Sequence, residues 1–126
     1  PGGRVSMQVI NAYAFNNPVA RRRDPLPLGT FVTTHIFPGQ QLPNLEFLHE
    51  AFLNSGKFKR IYSETTGHHY AQTLAKWTEG LLHNQEKFSI PIVNKYLYYL
   101  CWCRAGFDTE LLQLSRVVFQ KLNDTK

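Results

Sequence analysis

Apolar and polar positions alternate in a way that divides the chain into short αβ units. After the turn signal Pro1-Gly2-Gly3, the run from Val5 to Ile10 reads as a strand. Residues 11–29, rich in Asn, Pro and Arg, read as a connecting loop. From Thr30 to Phe37 a short apolar run (Phe31, Val32, Ile36, Phe37) suits helix or strand, reads here as helix, and is closed by Pro38-Gly39. Pro43-Asn44 opens a helix with Asn44 as its N-cap, Leu45, Leu48 and Phe52 as its stripe, and Gly56 as its stop. Phe58 to Ser63 reads as a strand that Gly67 breaks.

Two longer helices follow. His69 to His83 places Tyr70, Leu74, Trp77 and Leu81 at helical spacing. Ile90 to Arg104 accepts Pro91 in its first turn and carries two stripes, Val93, Leu97, Leu100 and Tyr96, Tyr99, Cys103; Gly106 is the expected terminator. Leu111 to Leu122 reads as a final strand. Strand, loop, helix, strand in this order is the alternation of an α/β fold.

Composition adds little to the architecture and more to the partners. The 126 residues make one domain at most, and 43% apolar against 18% charged residues exclude a disordered chain. Aromatics at 13% exceed what a small core needs and suit a pocket for a long apolar ligand. The net charge of +5 favours anionic partners. Arg21-Arg22-Arg23 is the densest basic run, but no RNP, zinc-finger or helix-turn-helix pattern accompanies it. Lipid headgroups are therefore expected ahead of nucleic acid. No apolar run reaches transmembrane length. Cys101 and Cys103, two apart on a helix, point to different faces and fit reduced thiols in a cytoplasmic setting.

The chemistry-bearing residues are sparse. His68 and His69 are adjacent and so face apart on a helix, which makes a poor metal pair. GxSxG, P-loop and GxGxxG motifs do not occur, and the nine acids are scattered over polar faces. Residue patterns alone stop at a basic, aromatic αβ domain.

Four ordered blocks go further. They are Pro1-Gly2-Gly3-Arg4-Val5 with Gln8-Val9-Ile10; His35-Ile36-Phe37-Pro38-Gly39 with Leu42-Pro43; Gly67-His68-His69-Tyr70-Ala71 with Thr73-Leu74 and Trp77; and Tyr98-Tyr99-Leu100, Cys103, Gly106-Phe107 with Val117-Val118-Phe119. Together they resemble the cyclopropane-fatty-acid synthase and mycolic acid cyclopropane synthase family, C-terminal portion only. The resemblance implies a class I, Rossmann-like methyltransferase sheet in which this chain supplies strands five, seven and six, with the last strand antiparallel. It also implies that residues 1–126 are the C-terminal part of a methyltransferase domain whose S-adenosyl-L-methionine site lies in the other half.

What the family does then sets further expectations. The implied activity is methyl transfer to the double bond of an unsaturated acyl lipid, giving a cyclopropane or a methyl branch, with bicarbonate as a bound base. Tyr70 matches the family's bicarbonate tyrosine, Ile10 the backbone contact after strand five, and Gln8 stands where many members have histidine. Phe31, Phe37, Tyr96 and Tyr99 are candidates for lining the acyl chain. A coclaurine-type N-methyltransferase, which shares a similar HYA block, and a non-catalytic lipid-binding fragment are the competing expectations. A truncated sheet leaves an open strand edge, expected to be covered by another chain or a symmetric copy.

Overall fold

A computed structural model describes residues 2–12, 31–40, 42–43 and 45–123. Three strands, β1 (Arg4–Ala12), β2 (Phe58–Thr65) and β3 (Leu112–Lys121), form one sheet in the order β1-β3-β2. β3 runs antiparallel to both neighbours, so β1 and β2 are parallel to each other and kept apart by it. This is the 5-7-6 arrangement expected from the sequence. The helices are α1 (Leu45–Leu53), α2 (Gly67–His83) and α3 (Ile90–Asp108). A single π-helical turn, Val32–Ile36, occupies the run that the sequence left open between helix and strand. The Asn44 cap, the Arg21-Arg22-Arg23 run and the loop at 13–29 lie outside the described residues.

Helices cover both faces of the sheet. On one face Ile10, Ala12, Leu112 and Leu114 meet Ala71 and Leu74 of α2 and Leu100, Cys103 and Phe107 of α3. On the other, Phe119 stacks on Phe52 of α1 at 4.3 Å between ring centroids and meets the edge of His49 at 5.9 Å. Val117, Phe119 and Ser115 of the middle strand are wholly buried. Ser115 Oγ donates to Asn11 Oδ1 at 2.9 Å, and Asn11 Nδ2 donates to Gln113 Oε1, so this buried polar cluster is internally satisfied.

Two glycines differ from their expected roles. Gly67 does not precede α2 but begins it, where an added Cβ would stand 3.3 Å from the Phe107 ring and 3.5 Å from the Leu112 carbonyl oxygen. Gly106 does not end α3. The helix runs two residues past it and stops where Glu110 takes a left-handed conformation, φ 59°. Gly106 serves instead as a point of close approach: a Cβ there would lie 2.7 Å from Leu112 Cδ1. The sequence rule that glycine marks helix ends misleads here because packing against β3, not backbone freedom, requires the missing side chain.

His49 is the most buried residue of α1, although the periodic stripe of that helix predicts Leu45, Leu48 and Phe52 for the inner face. Arg60 Nη1 lies 2.8 Å from His49 Nδ1. Since a guanidinium can only donate, Nδ1 accepts and the ring proton sits on Nε2, which is buried and has no partner. Burial first, and the Arg60 charge second, lower the His49 pKa from its ordinary 6.5, against an opposing pull from Glu46.

Two outcomes are expected from this packing. Gly106→Val should destabilise the chain by about 1–3 kcal/mol through overpacking against Leu112. Gly80→Ala, with open space at the Cβ position within α2, should instead stabilise it by up to about 1 kcal/mol; paired chemical denaturation curves measure both. The fold holds His49 neutral, so its contribution is intact above the unfolded-state pKa and is lost as the pH falls below it. The thermal midpoint should therefore drop as the pH falls below about 6.5, and His49→Leu should flatten that part of the profile.

Candidate functional site

The start of α2 and the middle of α3 converge over the C-terminal end of β1. Because Gly67 lets the first turn of α2 press against Phe107 and Leu112, Tyr70 is carried to the rim of the apolar cluster. Its ring is half-buried, edge-on to Phe107 at 5.1 Å and to Trp77 at 5.9 Å. Ile10 and Tyr99 pack against the same cluster. Burial, and next the neighbouring Cys103, push the Tyr70 phenol above its ordinary range. Tyr99 is pushed further in the same direction, by burial and then by Cys103, to which it is hydrogen-bonded. The Cys103 thiol rises to about 11 through burial, partly offset by that bond. At neutral pH this wall is therefore an uncharged, partly buried surface carrying phenolic donors.

The aromatic candidates separate into an inner and an outer set. Phe37, just after the π-helical turn, meets Tyr99 edge-on at 5.9 Å and extends the wall beyond the cluster. Phe31 meets Tyr98 at 4.7 Å and His35 at 5.3 Å, so its partner on α3 is neither Tyr96 nor Tyr99. Tyr96 turns outward, with Lys95 Nζ 6.0 Å from its ring centre. Tyr98, Trp102 and Leu42 complete the neighbourhood; Tyr98 and Leu42 belong to the family-like blocks, but none of the three is among the lining candidates named from the sequence. Tyr98 lies in the same aromatic run as Tyr96 and Tyr99, so helical phase alone could not say which tyrosine meets the π-helical turn.

Gln8 sits on the same sheet face as Ile10, two residues earlier and about 7 Å along the strand. It is exposed, and no hydrogen bond joins it to Tyr70 among the described residues. Its partner is on the middle strand: Arg116 Nε donates to Gln8 Oε1 at 3.3 Å, and Arg116 Nη1 pairs with Glu64 Oε1 at 3.3 Å. A polar row thus crosses all three strands. With its carbonyl engaged, Gln8 presents its amide N–H groups as donors.

The backbone of β1 has a directional consequence. Lys121 N–H donates to the Gly3 carbonyl, while Leu122 N–H donates to Lys57 and Thr66 N–H to the Leu114 carbonyl. The antiparallel alternation then turns odd positions of β3 toward β1 and even ones toward β2. Gln8 and Ile10, paired with Arg116 and Leu114, accordingly direct their backbone groups to the outer edge of β1. Among the described residues no group meets the Ile10 amide at that edge. No group of three His, Cys, Asp or Glu side chains that could hold a metal ion occurs among the described residues.

Known proteins match both the sequence and the fold. Hydroxymycolate synthase MmaA4 of Mycobacterium tuberculosis is 34% identical over 95 residues, 72% of this chain and 31% of that protein. Cyclopropane mycolic acid synthase MmaA2 of the same organism is 30% identical over 95 residues, covering 33% of its length. The solved structure of MmaA2 superimposes with a TM-score of 0.83 at 26% identity, covering 96% of this chain and 45% of that one. Mycolic acid cyclopropane synthase CmaA1, solved with SAH and CTAB, shares the fold at a TM-score of 0.82, with 23% identity over 95% of this chain and 45% of that one. The chain thus spans about a third of the length of its curated relatives. Residues 1–117 match the family of mycolic acid cyclopropane synthetases, and with that extent of agreement the chain belongs to it.

Proposed function

We propose that this chain forms the acyl-binding side of an S-adenosyl-L-methionine-dependent methyltransferase that acts on the double bond of an unsaturated lipid chain. The observation that carries this reading is the uncharged aromatic wall of Tyr70, Tyr99 and Phe37 beside the C-terminal end of β1, in a chain of this family. An alkene that receives a methyl group becomes a carbocation, and such an intermediate survives only where water is kept out and no stray nucleophile is near. A wall of neutral rings offers no charged nucleophile and stabilises positive charge by its π-faces.

The chain's own residues are assigned roles accordingly. Phe37, Tyr99 and Phe31 are assigned to the acyl chain; Tyr96, which faces outward, is not. The Tyr70 hydroxyl, the Ile10 backbone amide and the Gln8 amide are donors that would hold a small oxyanion such as bicarbonate, the base that accepts the proton when a ring closes. A glutamine can donate a hydrogen bond there but cannot carry a proton or a positive charge. No cradle for the nucleoside is found among the described residues, and the sequence has no glycine-rich strand-loop-helix. The cofactor, which supplies an electrophilic methyl group, is assigned to residues outside this chain. The outer edge of β1 is assigned to a strand from outside it as well. A cytoplasmic protein peripheral to a membrane fits this substrate.

The test uses the protein that joins this chain to its cofactor-binding part. Transfer of labelled methyl from S-adenosyl-L-methionine should occur to phospholipid with unsaturated chains and not to the saturated lipid. Tyr70→Phe, which keeps the ring and removes the donor, should lower kcat by about 10²–10³ with little change in KM. Activity confined to amine acceptors would overturn the lipid reading in favour of N-methylation. Absence of transfer to any acceptor would leave a non-catalytic lipid-binding protein.

A further inference from the structure

The turn between α2 and α3 is built unlike the rest of the surface. Asn84 ends α2 by donating its side-chain amide to the Gly80 carbonyl, and a 3-10 turn, Gln85–Lys87, reverses the chain. The next five residues are Phe88-Ser89-Ile90-Pro91-Ile92. Ile90 is 75% exposed, Phe88 50% and Ile92 46%. Phe88, Ile90 and Val93 line one shallow depression of about 270 Å³, which shows that these side chains lie together. Pro91 in the first turn of α3 removes a backbone donor that would otherwise need a partner here.

The position of this apolar tip matters as much as its composition. The other end of the hairpin is pinned to the sheet by Gly67, Phe107 and Leu112. α2 spans 17 residues, so the tip stands about 25 Å from that anchor. An exposed apolar turn at the end of a helical hairpin finds its complement in a deformable phase. The charge near it is also biased. Between residues 82 and 98 the chain has Lys87 and Lys95, with Glu86 as the one acid and His83 beside them, within a chain of net charge +5. Along α3, Lys95 and Tyr96 follow Ile90 by about 8–9 Å and Tyr98 by about 12 Å. Interfacial segments bury their apolar side chains about 5–10 Å deep. With α3 near the membrane normal and Ile90 inserted, Lys95 and the exposed Tyr96 and Tyr98 reach headgroup depth, where cations and tyrosines are favoured.

We infer that the α2–α3 tip, Phe88 to Ile92, is a membrane-docking wedge that inserts into an anionic bilayer, with Lys87 and Lys95 selecting the anionic headgroups. This rests on the lipid reading above only in that the bilayer is where the acyl substrate would be met; the docking itself is a property of the tip.

Co-sedimentation of the chain with extruded phosphatidylcholine vesicles, with and without phosphatidylglycerol, tests it. The wild-type chain should partition onto the anionic vesicles. The double variant Phe88→Asp/Ile90→Asp should reduce partitioning about ten-fold or more. Ile61→Asp/Tyr62→Asp, which places the same two charges at exposed positions of β2, should leave it unchanged. Lys95→Glu should weaken binding to the anionic vesicles alone. Circular dichroism should show all variants folded, and Ile90→Ser, which adds no charge, should give an intermediate loss. Equal partitioning of wild type and double variant overturns the inference. So does a wild-type dimer that the double variant converts to monomer, since the tip would then be a contact between copies. In the protein with both parts, the double variant should keep methyl transfer to detergent-dispersed lipid and lose it on vesicles. Failure of transfer on both substrates by the wild type would sink the proposed function while leaving vesicle binding to decide the docking.

Discussion

β3 is hydrogen-bonded on both sides, and every other element is placed by reference to it. It is the last strand in the sequence and the middle one in space. One of its faces offers Leu112 and Leu114 to the α2–α3 hairpin, and the other offers Phe119 to α1. The start of α2 and the end of α3 can approach it only because Gly67 and Gly106 lack side chains. Tyr70 owes its position to this: three residues after Gly67, it is delivered to the rim of the cluster that β3 and α3 close. The candidate site is thus a by-product of how tightly two helices can be pressed against one strand.

Local chemistry made much of this legible in advance. Period-two and period-three-to-four patterns located the three strands and the long helices, because burial on one face imposes them directly. The strand order came from the family resemblance, since no periodic pattern states which strands pair. The errors are informative in the same terms. Gly106 was expected to end a helix and instead sits inside one, because a glycine needed for close approach has the same sequence signature as one needed for a turn. Helix termination fell to Glu110, a residue type that rarely adopts positive φ. His49 was invisible because a histidine at an inner position breaks the apolar stripe; only its Arg60 partner, eleven residues on, makes sense of it.

The site was legible in part. Tyr70, Ile10 and Tyr99 pack against the same cluster, and Phe37 joins them through the Tyr99 ring. Tyr96 faces outward, and Phe31 meets Tyr98, a distinction of helical phase that a run of three tyrosines in four positions conceals. Arg116 carried no signal. It pairs with Gln8 across 108 positions of sequence and with Glu64 across 52, and no local pattern can announce such contacts.

The buried pair Asn11 and Ser115 bears on how the chain finds this arrangement at all. The two residues are separated by 104 positions, so β1 must wait for nearly the whole chain before it can pair. Apolar contacts between β1 and β3 would tolerate a slip of two residues, which keeps every side chain on its own face. The hydrogen bond would not tolerate the slip that sets Asn11 opposite Leu111, which strands a buried amide and a buried hydroxyl at a cost of about 1–3 kcal/mol for each unpaired group. An Asn–Ser pair in the interior therefore acts as a proofreading contact, rejecting a misaligned sheet that hydrophobicity alone would accept.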